Sequence, residues 1–190
     1  GDWSSDVCSS GLGWTIRDRL PDLAPGGTCA AAPVSVTAQI FEADGTTAVS
    51  APLVAGVDFV TSFAGAPDCL FTLSAQTSAA ALGADQRLLV SYQTQLDPGT
   101  QDGAVLTNVA GATEWFSAEG ADRRAYTRTL SDGSVGVVDH EDALTTLSAL
   151  PRLRFEKTVS NQTTGSSPAL TARPGDVLRY RLEVENLASV

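Results

Sequence analysis

The chain has 190 residues, of which 43% are hydrophobic, enough to bury the core of one full domain and part of another. Twelve basic against 22 acidic residues give a net charge of -10, which argues against nucleic acid as a partner because phosphate binding needs a basic face. The sequence has no apolar run of roughly 18 residues or more, so it predicts no membrane-spanning segment.

The N-terminal residues differ in character from the rest of the chain. The stretch from Asp2 to Ser10, DWSSDVCSS, matches the translation of a common sequencing-library adapter. We therefore interpret residues 1–12 as an adapter-derived, disordered segment that takes no part in the fold. The alternative is a genuine Ser- and Asp-rich N-terminal segment, which would be disordered because of its composition.

Short β-type runs separated by turn signals fill residues 13–150. The run 34–40 alternates with a period of two and precedes an Asp-Gly turn at Asp44. In the run 87–95, every second residue is suited to one face of a central strand. Regularly spaced short strands with Gly, Pro and Asp turns predict an antiparallel β-sandwich. Further runs are predicted over 57–63, 69–75 and 104–116, and a single helical turn over 77–82.

Two cysteines remain once Cys8 is set aside with the adapter-like segment. Cys29 and Cys69 each follow a loop rich in Pro and Gly, at a loop-to-strand junction. The sequence predicts a disulfide between them, with two free thiols as the alternative. A metal site is not expected here because no CxxC pair and no second histidine accompany the cysteines.

An acidic cluster surrounds the chain's only histidine, at Asp139, His140, Glu141 and Asp142. The carboxylates of Asp139, Glu141 and Asp142 are a weak calcium candidate, since hard cations take oxygen ligands. The spacing lacks the calcium-loop pattern, so we favour a solvated acidic turn and expect no metal and no other cofactor. The sequence also lacks the common hydrolase, metalloprotease, nucleotide and dinucleotide motifs, and it predicts no catalytic activity.

The clearest pattern lies near the C-terminus, in residues 153–186. From Leu178 to Glu185 apolar and charged residues alternate, as in a strand that covers a core with one face. We expect residues 151–190 to begin a second domain that the chain does not complete.

Short motifs in this segment resemble the start of the DUF11-type repeat, an Ig-like domain of bacterial surface proteins. They are Lys157-Thr158-Val159, Pro174-Gly175-Asp176 and the strand from Tyr180 to Asn186. The segments 14–21 and 106–110 resemble later elements of the same repeat. The resemblance implies an Ig-like β-sandwich over 13–150 that lacks its first strands, followed over 151–190 by the first strands of a second repeat.

The resemblance also implies a candidate covalent site. Fimbrial Ig-like domains similar to this one form an internal Lys–Asn isopeptide bond beside a buried acid, a reaction that needs a neutral lysine amine. Lys157 matches the first-strand lysine and Asn108 the last-strand asparagine, but in successive repeats, with Asp18 as the nearest acid. We therefore expect no complete site within either repeat of this chain.

The function implied is a structural or adhesive module of a tandem-repeat protein, secreted or on the bacterial cell surface. Its partners would be neighbouring repeats, with a host or matrix protein or a glycan as further candidates. The alternative is a binding module that recognises a glycan or protein through loops at one end of the sandwich. Trp115 and Phe116 are the candidate aromatic residues for that role, although their strand position favours core packing. An incomplete sandwich also predicts self-association through residues 153–186.

Overall fold

A computed structural model describes residues 13–23, 25–116, 124–131, 140–151 and 153–187. These residues form β-strands, turns and one short 3-10 turn, so the fold is all-β, as the sequence predicts. The chain divides into two compact units between Ser148 and Ala149. The adapter-like segment, residues 1–12, lies outside the described residues.

In chain order the strands are β1 (Trp14–Arg19), β2 (Asp22–Leu23), β3 (Gly26–Gly27), β4 (Val34–Phe41), β5 (Phe59–Ala64), β6 (Leu70–Ala75), β7 (Arg87–Gln93), β8 (Val105–Phe116), β9 (Ala125–Thr127), β10 (Glu141–Leu147), β11 (Leu153–Asn161) and β12 (Leu178–Asn186).

The first unit contains one large sheet and a smaller layer. The large sheet has the order β10-β8-β1-β6-β5, with β9 paired to the far end of β8. The strands β4 and β7 form a separate antiparallel pair, and β2 and β3 form a short hairpin. All of the strand pairs described are antiparallel, which suits a chain whose strands are joined by short turns.

The main core lies between the β4–β7 pair and the inner face of β1, β6 and β5. Phe59, Phe71 and Leu73 are fully buried there, and the alternating residues of β4 and β7 pack against them. The Trp14 indole Nε1 donates a 2.7 Å hydrogen bond to the Ala80 carbonyl, which belongs to the 3-10 turn Ser78–Ala80. This bond fixes the short helical segment that is too short to be stable without packing.

The pairing of β8 with β10 depends on a glycine. Ala112 donates its backbone N–H to the His140 carbonyl at 2.8 Å. A Cβ atom at Gly111 would lie 2.6 Å from that same carbonyl oxygen, closer than side-chain carbons approach a backbone oxygen. Glycine at this position therefore lets β10 approach the long strand closely.

A disulfide joins Cys29 to Cys69, as the sequence predicts, with a Cα–Cα distance of 5.5 Å. Both residues are buried and pack with Leu20 in a second, smaller core cluster. The bond ties the segment that follows β3 to the start of β6. It therefore links the β2–β3 hairpin covalently to the large sheet at that end of the first unit.

The second unit is the antiparallel hairpin of β11 and β12. Its register pairs Lys157 with Leu182 and Val159 with Tyr180, so alternate residues of the two strands share one face. The strand β12 has the alternation that the sequence predicts for residues 178–185.

Asn161 organises the loop of this hairpin, and its side chain is only 1% exposed. Its Oδ1 accepts the backbone N–H groups of Thr163 and Thr164 at 2.9 and 3.1 Å. Its Nδ2 donates to an Asp176 carboxylate oxygen at 2.8 Å. The Arg173 backbone N–H and the Asn161 amide together hold the pKa of Asp176 below its usual value. An Asx-type turn of this kind fixes how the chain leaves β11.

The disulfide should account for a large part of the stability of the first unit. The double substitution Cys29→Ser and Cys69→Ser should lower the free energy of unfolding by about 4 kcal/mol, because the bond closes a loop across a separation of 40 residues. Urea denaturation measures this loss, and Cys8→Ser is the matched control, for which we expect no change. Two alkylatable thiols at positions 29 and 69 in the folded, oxidised protein would contradict the assignment.

Candidate functional site

An open groove of about 430 Å³ lies on the inner face of β8 and β10. The register pairs Leu106 with Thr146, Asn108 with Leu144, and Ala110 with Asp142, so the three pairs point to the same side of the sheet. Thr94 and Leu96, which follow β7, line the opposite wall, with Pro21 and Thr28 beside them. The groove exists because the two-stranded layer β4–β7 is narrower than the sheet that it faces.

The walls of the groove are largely apolar but are not covered. Leu144 is 74% exposed although it lies on the same face as residues that are buried elsewhere in the sheet. On the other side, β7 pairs with β4 along one edge, and none of the described strands pairs with its second edge. The groove therefore combines an apolar floor with a free strand edge.

A buried polar cluster lies beside the floor of the groove and consists of Asp18, Tyr92 and Asn108. The Tyr92 hydroxyl donates a short hydrogen bond to Asp18 Oδ2 and accepts one from Asn108 Nδ2 at 3.3 Å. Asp18 is on β1, Tyr92 on β7 and Asn108 on β8, so the cluster joins both layers. Asp18 is only 4% exposed.

Two acceptor atoms of this cluster have no hydrogen-bond partner. They are Asp18 Oδ1 and Asn108 Oδ1, both buried within the described part of the chain. None of the described basic side chains forms an ion pair with Asp18. A buried acceptor without a donor costs roughly 1–3 kcal/mol, and more when it is charged. The cluster is therefore suited to receive a cationic or hydrogen-bond-donating group.

The electrostatics of the cluster follow from its burial. Burial raises the pKa of Asp18, while the hydrogen bonds from Tyr92 and Asn108 act in the opposite direction. Burial, together with the hydrogen bond and charge of Asp18, also raises the pKa of Tyr92. Loss of the phenolic proton is thus opposed, and Tyr92 remains a donor to the carboxylate.

A second carboxylate lies on the same rung of the sheet. Ala110 is paired with Asp18 on one side and with Asp142 on the other, so the two acids flank it on one face. Asp142 is exposed and lines the groove. The groove therefore carries negative charge beside its apolar surface, and it favours a cation over an anion.

Two of the three carboxylates considered as calcium ligands, Glu141 and Asp142, point away from each other. Glu141 and Asp142 begin β10 instead of lying in a turn, and as neighbours in a strand they face opposite sides. Glu141 accepts the Ser131 backbone N–H at 2.7 Å, and its pKa is lowered by its hydrogen bonds with Ser131 and by the nearby His140 and Arg19. Asp139 lies outside the described residues.

Of the three residues considered for an isopeptide bond, two lie in the first unit and one lies in the second. Asp18 and Asn108 are brought together by Tyr92 in the first unit. Lys157 is on β11 of the second unit, and its Nζ lies 4.9 Å from the centre of the Tyr180 ring. Sequence reasoning did not single out Tyr92, whose role depends on a contact across 74 residues with Asp18.

A further group of possible metal-binding atoms lies around the disulfide. A carboxylate oxygen of Asp22 and the sulfurs of Cys29 and Cys69 lie within 4.8 Å of one another. The sulfurs are bonded to each other, and it is the thiolate that binds metal, so the oxidised protein offers no thiolate ligand here. The helical residues that the structure describes include no segment long and apolar enough to cross a bilayer.

Comparisons of this chain with protein-family models, with curated proteins and with solved structures find no match. The groove, its polar cluster and the hairpin are the features of this chain that bear on its function.

The raised pKa of Asp18 predicts a specific dependence of stability on pH. Its contribution to stability is fully present below the ordinary value of 3.8 and is lost as the pH rises through the higher pKa of the folded state. The neutral, isosteric variant Asp18→Asn should therefore be more stable than the wild type near neutral pH. This advantage should disappear in acid, as measured by urea denaturation across the pH range.

Tyr92→Phe is the complementary variant, because it removes the donor to Asp18 without changing the ring. It should lower the free energy of unfolding by about 1–3 kcal/mol near neutral pH and by less in acid, where the carboxyl group is neutral. Asp142→Asn, on the same rung but exposed, is the control and should change the free energy by less than about 0.5 kcal/mol. If Asp18→Asn destabilises the protein equally at every pH, the assignment of the cluster is wrong.

Proposed function

We propose that this chain is a structural or adhesive module of a tandem-repeat protein, secreted or on the bacterial cell surface. In this proposal the first unit is an Ig-like β-sandwich of the DUF11 type and the hairpin of β11 and β12 belongs to the following repeat. The module acts through reach and stiffness, and it has no catalytic role.

The observation that carries the proposal is the unequal width of the two layers. The sheet β10-β8-β1-β6-β5 faces only the pair β4–β7, and the uncovered part is the groove. The second unit supplies a hairpin whose apolar face is exposed. A sandwich needs both layers to bury its inner faces, and a tandem array provides such hairpins repeatedly.

The disulfide supports a location outside the cytoplasm. Disulfides persist in oxidising compartments, and they are rare where thioredoxin and glutathione keep thiols reduced. Cys29 and Cys69 are buried and bonded in the first unit. A covalent tie across 40 residues also limits how far the unit extends when it is pulled.

Force spectroscopy of the oxidised chain tests the mechanical role. The first unit should unfold in a cooperative step, and reduction should lengthen that step by the extended length of the loop, about 3.3–3.6 Å per residue released. Arrays of this chain should resist force over the same range as other β-sandwich modules. Unfolding without a measurable force peak would contradict a mechanical function.

An isopeptide bond in intact repeats is part of the same proposal. The lysine amine would attack the asparagine side-chain carbonyl and release ammonia, with Asp18 polarising that carbonyl. The cluster of Asp18 and Asn108 supports this, because the unpaired Oδ atoms lie in one buried site. In a protein with the complete repeat, the intact mass should be lower by one ammonia, and Asn108→Ala should abolish the difference.

The second candidate function, glycan or protein binding, is favoured by an aromatic pair at the β8–β9 end of the sheet. Trp115 and Tyr126 stack with ring centroids 5.8 Å apart, and the Arg128 guanidinium lies 5.5 Å from the Trp115 ring. Tyr126 is exposed, whereas Trp115 is half-buried. Saturable binding to a glycan array or to matrix proteins that Tyr126→Ala removes would favour this function over the structural one.

A further inference from the structure

The hairpin of the second unit carries an apolar face with one charge at its centre. Leu153, Phe155, Lys157 and Val159 alternate along β11 on the same side as Tyr180, Leu182 and Val184 of β12. These apolar side chains are exposed, Phe155 by 62%, except for Val159, which is half-buried. An isolated two-stranded hairpin is marginally stable in water, so this face gains from being covered.

Lys157 is the only lysine in the chain. Its partner across the hairpin is Leu182, and its ammonium group lies over the Tyr180 ring. A cation in the middle of an apolar face is costly to cover unless the covering surface supplies an anion at that point.

The groove of the first unit supplies that combination. Leu106 and Leu144 provide an apolar floor, and Asp18 and Asp142 lie on one rung across Ala110. The unpaired Oδ1 atoms of Asp18 and Asn108 are buried acceptors, which a lysine ammonium with three donors can satisfy. The face and the groove are thus complementary in polarity and in charge.

The strand edges are complementary as well. Among the described strands β7 pairs only with β4, and β11 pairs only with β12. Each therefore has a second edge that no described strand covers, although near the end of β11 the Ala169 N–H already donates to the Val159 carbonyl at 2.9 Å. Addition of one strand to such an edge is a common mode of association, with main-chain hydrogen bonds giving affinity and side-chain pockets giving specificity.

We propose that β11 of a second copy of this chain adds to the free edge of β7, and that its Lys157 enters the groove beside Asp18 and Asn108. The groove belongs to the first unit and the hairpin face to the second, so two copies can exchange hairpins reciprocally. Such an exchange is symmetric and closes as a dimer. This proposal is independent of the Ig-like assignment, since it uses only the groove, the hairpin and their charges.

Sedimentation analysis of the full chain over a range of concentrations tests the exchange. The wild type should dimerise, and Lys157→Met, which keeps an apolar side chain of similar length, should raise the dissociation constant at least about tenfold. The matched control is Arg179→Met, which removes a cation from the other face of the hairpin. Its dissociation constant should stay within about twofold of the wild type.

Two leucines of β10 provide an independent test on the groove side. Leu144 faces the groove, whereas Leu147 faces the opposite side of the sheet, and both are exposed. Leu144→Arg should abolish the dimer because it places a second cation where Lys157 binds, and Leu147→Arg should leave it intact. Since neither side chain is buried, both variants should keep the wild-type melting temperature.

Each result of these sedimentation experiments either supports or overturns the proposed dimer. A wild-type chain that remains monomeric at every concentration overturns the proposal, whether or not the hairpin covers the groove of its own copy. A dimer that Lys157→Met and Arg179→Met weaken equally, or that Leu144→Arg leaves intact, also overturns it. A dimer sensitive to Lys157→Met and Leu144→Arg, but not to their controls, supports it.

Discussion

The structure of the first unit depends on the pairing of one long strand, β8, with β1 along one edge and β10 along the other. Because side chains alternate along a strand, this pairing fixes which residues of all three strands face inward. The inner face is wider than the β4–β7 layer can cover. The groove, the exposed Leu144 and the position of Asp142 all follow from this one mismatch.

The cluster of Asp18, Tyr92 and Asn108 lies at the boundary between the covered and the uncovered parts of that face. A buried carboxylate with one unpaired oxygen lowers the free energy of unfolding relative to an apolar residue at the same position. In some proteins buried polar groups of this kind select a partner or a register. In the proposed exchange this cluster would fix the position along the sheet at which Lys157 binds, which an apolar surface alone would not do.

Local patterns predicted much of the fold. The alternation along β4, β7 and β12 was sufficient for these strands, because it depends on neighbouring residues. The disulfide could be predicted because only Cys29 and Cys69 remained once Cys8 was set aside. The start of β10 was predicted as an acidic turn, since Glu141 and Asp142 are polar. That polarity is tolerated in a strand because Glu141 is bonded to Ser131 and Asp142 faces the open groove. The polar cluster could not be predicted, because its members are up to 90 residues apart and their contact depends on the register of three strands.

The hydrogen bond between the Trp14 indole and the Ala80 carbonyl has an optical consequence. An indole that is buried and bonded to a carbonyl emits at shorter wavelength than one in water, and Trp14 is buried, whereas Trp115 is half-exposed beside Tyr126. The two indoles are cross-strand partners at the same end of the pair β1–β8, but they differ in burial and therefore in emission. Separation of the segment around Ala80 from the core would shift the emission of Trp14 to the red before the large sheet itself came apart.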